Sequence, residues 1–224
     1  MAARVSHSLL DPVLTQPLRS LYPRLGLPRR LPPEAIVLAG NAAAVGAAVC
    51  FALVVGTPWL GLVGAALVAA YHFADVFDGQ HARATGQCRN GGELLDHFCD
   101  PVSLSCIAAG WAFAADAPLL AVPAVLLIMA KGLLANLTAK LGGDFEVGRF
   151  GPTEFKAGLA VLLLAAAVVP AGVLQPALRW GFVGVLAVTA VSFPFELVRS
   201  IKAVNRSGVE ADTSEWVLAG EPPA

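Results

Sequence analysis

The 224-residue sequence predicts an all-α, polytopic membrane protein with six transmembrane helices preceded by a short amphipathic interfacial segment. Three observations point there. Hydrophobic residues make up 57% of the chain and charged ones 14%, with a mean hydropathy of +0.70, a combination that water-soluble domains seldom reach. Several apolar stretches have the roughly 20 residues that a hydrocarbon crossing requires. Lysines and arginines gather on alternate connections, as they do in cytoplasmic loops.

Residues 1–34 form a cytoplasmic interfacial segment. Leu10, Val13, Leu14, Leu18, Leu21 and Leu25 recur at helical spacing, with Asp11 placed to cap and Pro12 to begin a helix. Pro17 and Pro23 keep it short or kinked. No secretory signal is expected, because Arg19, Arg24, Arg29 and Arg30 precede the first apolar run. The predicted spans are 35–55, 59–77, 94–115, 118–141, 154–173 and 178–204, separated by breakers such as Gly56-Thr57-Pro58 and Gly151-Pro152. Residues 205–224 are polar and acidic and read as a mobile cytoplasmic tail. Arg83 and Arg89, then Lys140, Arg149 and Lys156, then Arg199, Lys202 and Arg206 fall on one side, against Arg179 on the other. Both termini and the motif below are therefore expected at the cytoplasmic face. A net charge of −1 gives no footprint for nucleic acid, and the four cysteines, without CxxC spacing, read as structural.

Carboxylates crowd the link between the second and third spans. Asp75 and Asp78 are three residues apart and Asp96 and Asp100 four apart, so each pair shares one helix face. Ionised aspartates within membrane helices are costly and need a compensating charge or a function. Two facing pairs of hard oxygen ligands suit two ions of Mg²⁺ or Mn²⁺, which can clamp a diphosphate. Gly79 and Ala82 leave room for a nucleotide, Arg83 offers a fork for phosphate oxygens, and Gly92 relaxes the turn into the third span.

The string from Asp75 to Asp100, with Gly79, Ala82, Arg83 and Gly92 at their fixed places, resembles the signature of the CDP-alcohol phosphotransferases. The resemblance implies that residues 35–204 form a six-helix catalytic domain moving a substituted phosphate from a CDP-linked alcohol to an acceptor hydroxyl, with release of CMP. It further implies that Asp75, Asp78, Asp96 and Asp100 hold two divalent metals and that Gly79, Ala82 and Arg83, with Gly92, contact the CDP part. Asp100 is then the general base, and homodimers are common.

Asp78-Gly-Gln-His-Ala-Arg83, the Gly92 to Asp100 string and Gly151-Pro152-Thr153-Glu154 are similar to the choline and ethanolamine phosphotransferase branch. A CDP-amino-alcohol donor and a diacylglycerol-like acceptor are expected on that basis. His97 competes there with Asp100 as base, because an imidazole takes a proton more readily at neutral pH than a metal-bound carboxylate. The alternative is a CDP-diacylglycerol donor with a small polar acceptor such as an inositol or glycerol phosphate, held by basic residues of the fourth and fifth spans. Lys131, Arg149 and Glu154 are the candidate acceptor contacts, with Lys140 and Lys156 nearby. Lys131, inside a span, requires a carboxylate or ligand partner, and Glu196 is expected to pair with Arg199. Two departures are Pro33-Glu34-Ala35-Ile36-Val37, where the family has a Pro-Asn-x-x-Thr run, and Phe98 in place of glycine. An intramembrane prenyltransferase would need a second aspartate cluster and a transporter repeated halves; the sequence offers neither.

Overall fold

Helix boundaries fall where the sequence supplies breakers. The structure, a computed structural model, describes residues 4–6, 8–142, 145–147 and 151–207. After a π-type turn at Asp11–Thr15 come α1 (Gln16–Leu21), a 3₁₀ turn (Tyr22–Leu25), α2 (Pro33–Leu53), α3 (Leu60–Thr85), α4 (Asn90–Ala114), α5 (Ala121–Gly142), α6 (Pro152–Ala166) and α7 (Ala171–Arg206). Proline opens α2 and α6, where its missing N–H costs nothing. Gly86 closes α3 in the left-handed region at φ 71°, which a side chain resists.

Among the described residues, four helical segments are long and apolar enough to cross a membrane: α2, α3, Pro118–Gly142 and α7. The first half of α4 carries Glu93, Asp96 and Asp100, which lower its hydropathy. α6 has 15 residues, a rise of about 22 Å against a hydrocarbon core of about 30 Å.

α2 packs against both α3 and α4, α6 against α3, and α5 bridges α4 and α7. Small residues permit this closeness. A methyl at Gly61 would overlap the Leu163 carbonyl of α6, and one at Gly110 the Ala48 carbonyl of α2. The apolar core runs from Tyr71, beside the aspartates, to a cluster around Trp111. There the Trp111 ring sits 5.9 Å from Phe51 and 5.4 Å from Phe182, and its indole N–H donates to the Leu178 carbonyl at 3.0 Å. α5 and α7 instead leave Leu126, Leu133, Val188, Val191 and Phe195 exposed.

One local expectation is corrected. The residue capping the first turn is Leu10, not Asp11. The Asp11 carboxylate, already inside the turn, accepts from Thr15 at 3.0 Å and from Thr153 of α6 at 2.7 Å. β1 (Arg4–Ser6) and β2 (Phe145–Val147) also form a short parallel pair, Arg4 opposite Phe145; a contact so distant in sequence leaves no local pattern. Arg149 and residues 208–224, which include most of the expected tail, lie outside the described residues.

Candidate metal centre

The motif is helical throughout, because α3 continues to Thr85 rather than ending near Phe77 and α4 already begins at Asn90. Gly92 therefore stands in the first turn of α4 instead of in a connecting turn. A methyl there would sit 3.4 Å from Glu34 Oε1, which Arg89 approaches at 3.6 Å. Glu34, at the departure from the family run, thus faces the beginning of α4.

Helical continuity turns the two aspartate pairs toward each other. Ligand oxygens of Asp75, Asp96 and Asp100 all lie within 4.8 Å of one another. Asp78 is buried; its Oδ1 accepts from its own helix at the Gly79 N–H, and its Oδ2 is enclosed without a hydrogen-bond partner. All four line one small cavity of about 10 Å³ with Asn41, Tyr71 and Ser103. A buried carboxylate oxygen with no donor is costly. Three converging carboxylates beside it form the hard oxygen set that a divalent cation accepts, so these residues fit such an ion.

Neighbouring groups fix the carboxylates. Tyr71 donates to Asp100 Oδ1 at 3.0 Å. Ser103 donates to Asn41 Oδ1 at 2.6 Å, which joins α4 to α2 under the site. Lys156, 2% exposed in its side chain, places its ammonium 2.8 Å from Asp75 Oδ2 and 4.0 Å above the centre of the Tyr71 ring. Its charge is thus held between carboxylate and π-face.

The other expected residues divide. Arg83 is exposed, and its guanidinium folds back over Gly79, where a methyl would meet it at 3.2 Å. Ala82 is half-buried one residue away. His97 is turned outward: its Nε2 lies 3.5 Å from Glu93 Oε1, and it does not line the cavity. Glu154 has a structural role. One oxygen accepts from the Gly151 N–H at 2.8 Å and the other from Ser8 at 2.6 Å and the Leu10 N–H at 3.0 Å, capping α6 and tying down the N-terminal segment. Lys131 has the expected carboxylate partner, Glu196 of α7 at 2.8 Å, so Glu196 reaches across to α5.

Sequence reasoning treated Lys156 as one of several loop cations and passed over Tyr71 and His81. The sequence does carry a signal for Lys156, since the 22 residues that follow it, Ala157 to Leu178, hold no charge, as for a lysine inside a span. His81 had none. It is fully buried, with its Nδ1 at 2.7 Å from the Tyr22 hydroxyl and its Nε2 at 2.8 Å from the Leu31 carbonyl. Because that carbonyl only accepts, Nε2 carries the proton and donates, and Tyr22 donates to Nδ1. These bonds and those of Gln87 to the Arg29 and Leu31 carbonyls fasten the N-terminal segment to the end of α3.

The family model for CDP-alcohol phosphatidyltransferases matches residues 33–193. The chain is 29% identical over 199 residues to phosphatidylinositol phosphate synthase of Mycolicibacterium smegmatis, covering 87% of this chain and 85% of that protein. It also resembles the crystal structure of Mycobacterium tuberculosis phosphatidylinositol phosphate synthase with CDP-DAG bound, at a TM-score of 0.54 and 21% identity, over 91% of this chain and 100% of that one. With the carboxylate motif assembled as described and the match spanning the helices that carry it, the chain belongs to the CDP-alcohol phosphatidyltransferase family and is a CMP-forming transferase of substituted phosphate groups.

Proposed function

We propose that the chain transfers a phosphatidyl group from CDP-diacylglycerol to a hydroxyl of a small phosphorylated polyol, an inositol or glycerol phosphate. The observation that carries this reading is the likeness over 87% of the chain to a phosphatidylinositol phosphate synthase. It favours the alternative of the sequence reading over the CDP-amino-alcohol branch. The DGQHAR and GELLDHFCD strings behind that branch lie in the motif that receives the CDP part, so they say little about the remaining substrate.

The chemistry follows from placement. A hydroxyl oxygen of the acceptor attacks the phosphorus bearing the diacylglycerol, the bond from that phosphorus to the CMP oxygen breaks, and CMP leaves. Asp100 takes the hydroxyl proton, because it stands in the cavity with one oxygen fixed by Tyr71, whereas His97 faces Glu93. Asp75, Asp78, Asp96 and Asp100 are read as holding two dications, Mg²⁺ or Mn²⁺, which when bound polarise the diphosphate oxygens and offset the charge growing on CMP. Gly79, Ala82, Arg83 and Gly92 flank the CDP part. Arg149 remains the cationic candidate for the acceptor phosphate, since Lys131 is already paired.

All six helices from α2 to α7 are read as embedded, with both termini and the aspartates at the cytoplasmic face. The apolar side chains of the N-terminal segment, Val13, Leu14 and Leu21 among them, are exposed as a helix lying in the interface requires.

The test is CMP release by the purified protein in lipid micelles with Mg²⁺, offering CDP-diacylglycerol, CDP-choline or CDP-ethanolamine against inositol phosphate, glycerol phosphate and diacylglycerol. Turnover is expected with CDP-diacylglycerol and a phosphorylated polyol. Turnover confined to a CDP-amino-alcohol and diacylglycerol overturns the substrate assignment.

A further inference from the structure

Four carboxylates line one small cavity, a charge of −4 that a single dication leaves half unbalanced, and Lys156 is a cation that the fold places beside them. It comes from α6, a helix that contributes no aspartate to the site, and it reaches Asp75 on α3. Enclosing an ammonium this completely costs free energy unless a charge partner is fixed beside it. Here the partner is an oxygen of the metal-ligand set, with Tyr71 adding its ring below and its hydroxyl to Asp100.

We propose that Lys156 is a positioning residue and the built-in counter-charge of this site: it weakens dication binding and strengthens binding of the anionic diphosphate donor. This rests on reading the aspartates as a dication site. One positive charge beside Asp75 repels an incoming cation and attracts an incoming anion through the same field. The two affinities must then move in opposite directions when the charge is removed. Damage to packing lowers both.

The experiment titrates Mn²⁺ into the detergent-solubilised full-length chain, following the spin-resonance signal of free Mn²⁺, and measures in parallel the half-saturating donor concentration for CMP release. In Lys156→Gln, which removes the charge but keeps a polar side chain, Mn²⁺ is expected to bind about tenfold more tightly or better, while the half-saturating donor concentration rises several-fold. Lys156→Arg keeps the charge and is expected to stay within about threefold of the parent on both measures. Lys156→Gln that folds only with Mn²⁺ present also supports the proposal, because the ion then replaces the missing charge. Unchanged or weaker Mn²⁺ binding in Lys156→Gln, or unfolding that Mn²⁺ does not reverse, overturns it. A parent protein that binds no Mn²⁺ instead defeats the dication reading beneath it.

Discussion

Lys156 to Asp75 and Lys131 to Glu196 both join a lysine to a carboxylate on another helix at 2.8 Å, yet the first lysine side chain is 2% exposed and the second 38%. The first pair lies among aspartates, under α3 and α4. The second links α5 to α7, the helices whose apolar side chains are left uncovered. Distance alone therefore does not rank two ion pairs. The enclosed ammonium is shut away from solvent, so losing Asp75 strands it, whereas both members of the open pair reach solvent.

Four substitutions sharpen or break that contrast. Asp78→Asn, in the enclosed region, is expected to lower CMP release by about 10³-fold with little loss of folded protein. Near-parental turnover would remove the metal role from the buried aspartate. Lys156→Met without added metal is expected to cost about 3 kcal/mol of unfolding stability in mixed micelles, with addition of Asp75→Asn recovering part of it. Lys131→Met is expected to cost about 1 kcal/mol, with Glu196→Gln restoring most of that. Equal losses at the two lysines would refute the contrast in burial. Lys140→Ala, exposed at the end of α5, is expected to leave CMP release within about twofold of the parent and stability within about 0.5 kcal/mol.

Much of the site was legible because its parts are close in sequence. Asp75 and Asp78, and Asp96 and Asp100, are helical neighbours, so helical geometry alone puts each pair on one face, and the short connection between α3 and α4 returns one pair toward the other. The helical extension of the motif was less legible. Hydropathy falls after Phe77, but backbone hydrogen bonding continues to Gly86, since polar residues support a helix where it leaves the membrane. Glu154 misled for a related reason: a charged residue beside a proposed acceptor site reads as a ligand contact until its hydrogen bonds to Ser8 and Leu10, over 140 positions away, are seen.

By itself the sequence determined a mainly helical chain with apolar segments of membrane length and the four aspartates, because hydropathy and spacing are local properties of a chain, and the motif carried the resemblance to the family. Only the tertiary structure decided that Lys156 neutralises Asp75, that His97 faces away from the cavity, that Glu154 caps α6 and that Lys131 meets Glu196. Each of these depends on which helix lies beside which, and that is set by close approaches such as Gly61 on Leu163 and Gly110 on Ala48. Such contacts join residues too far apart in the chain for any periodic pattern to carry them.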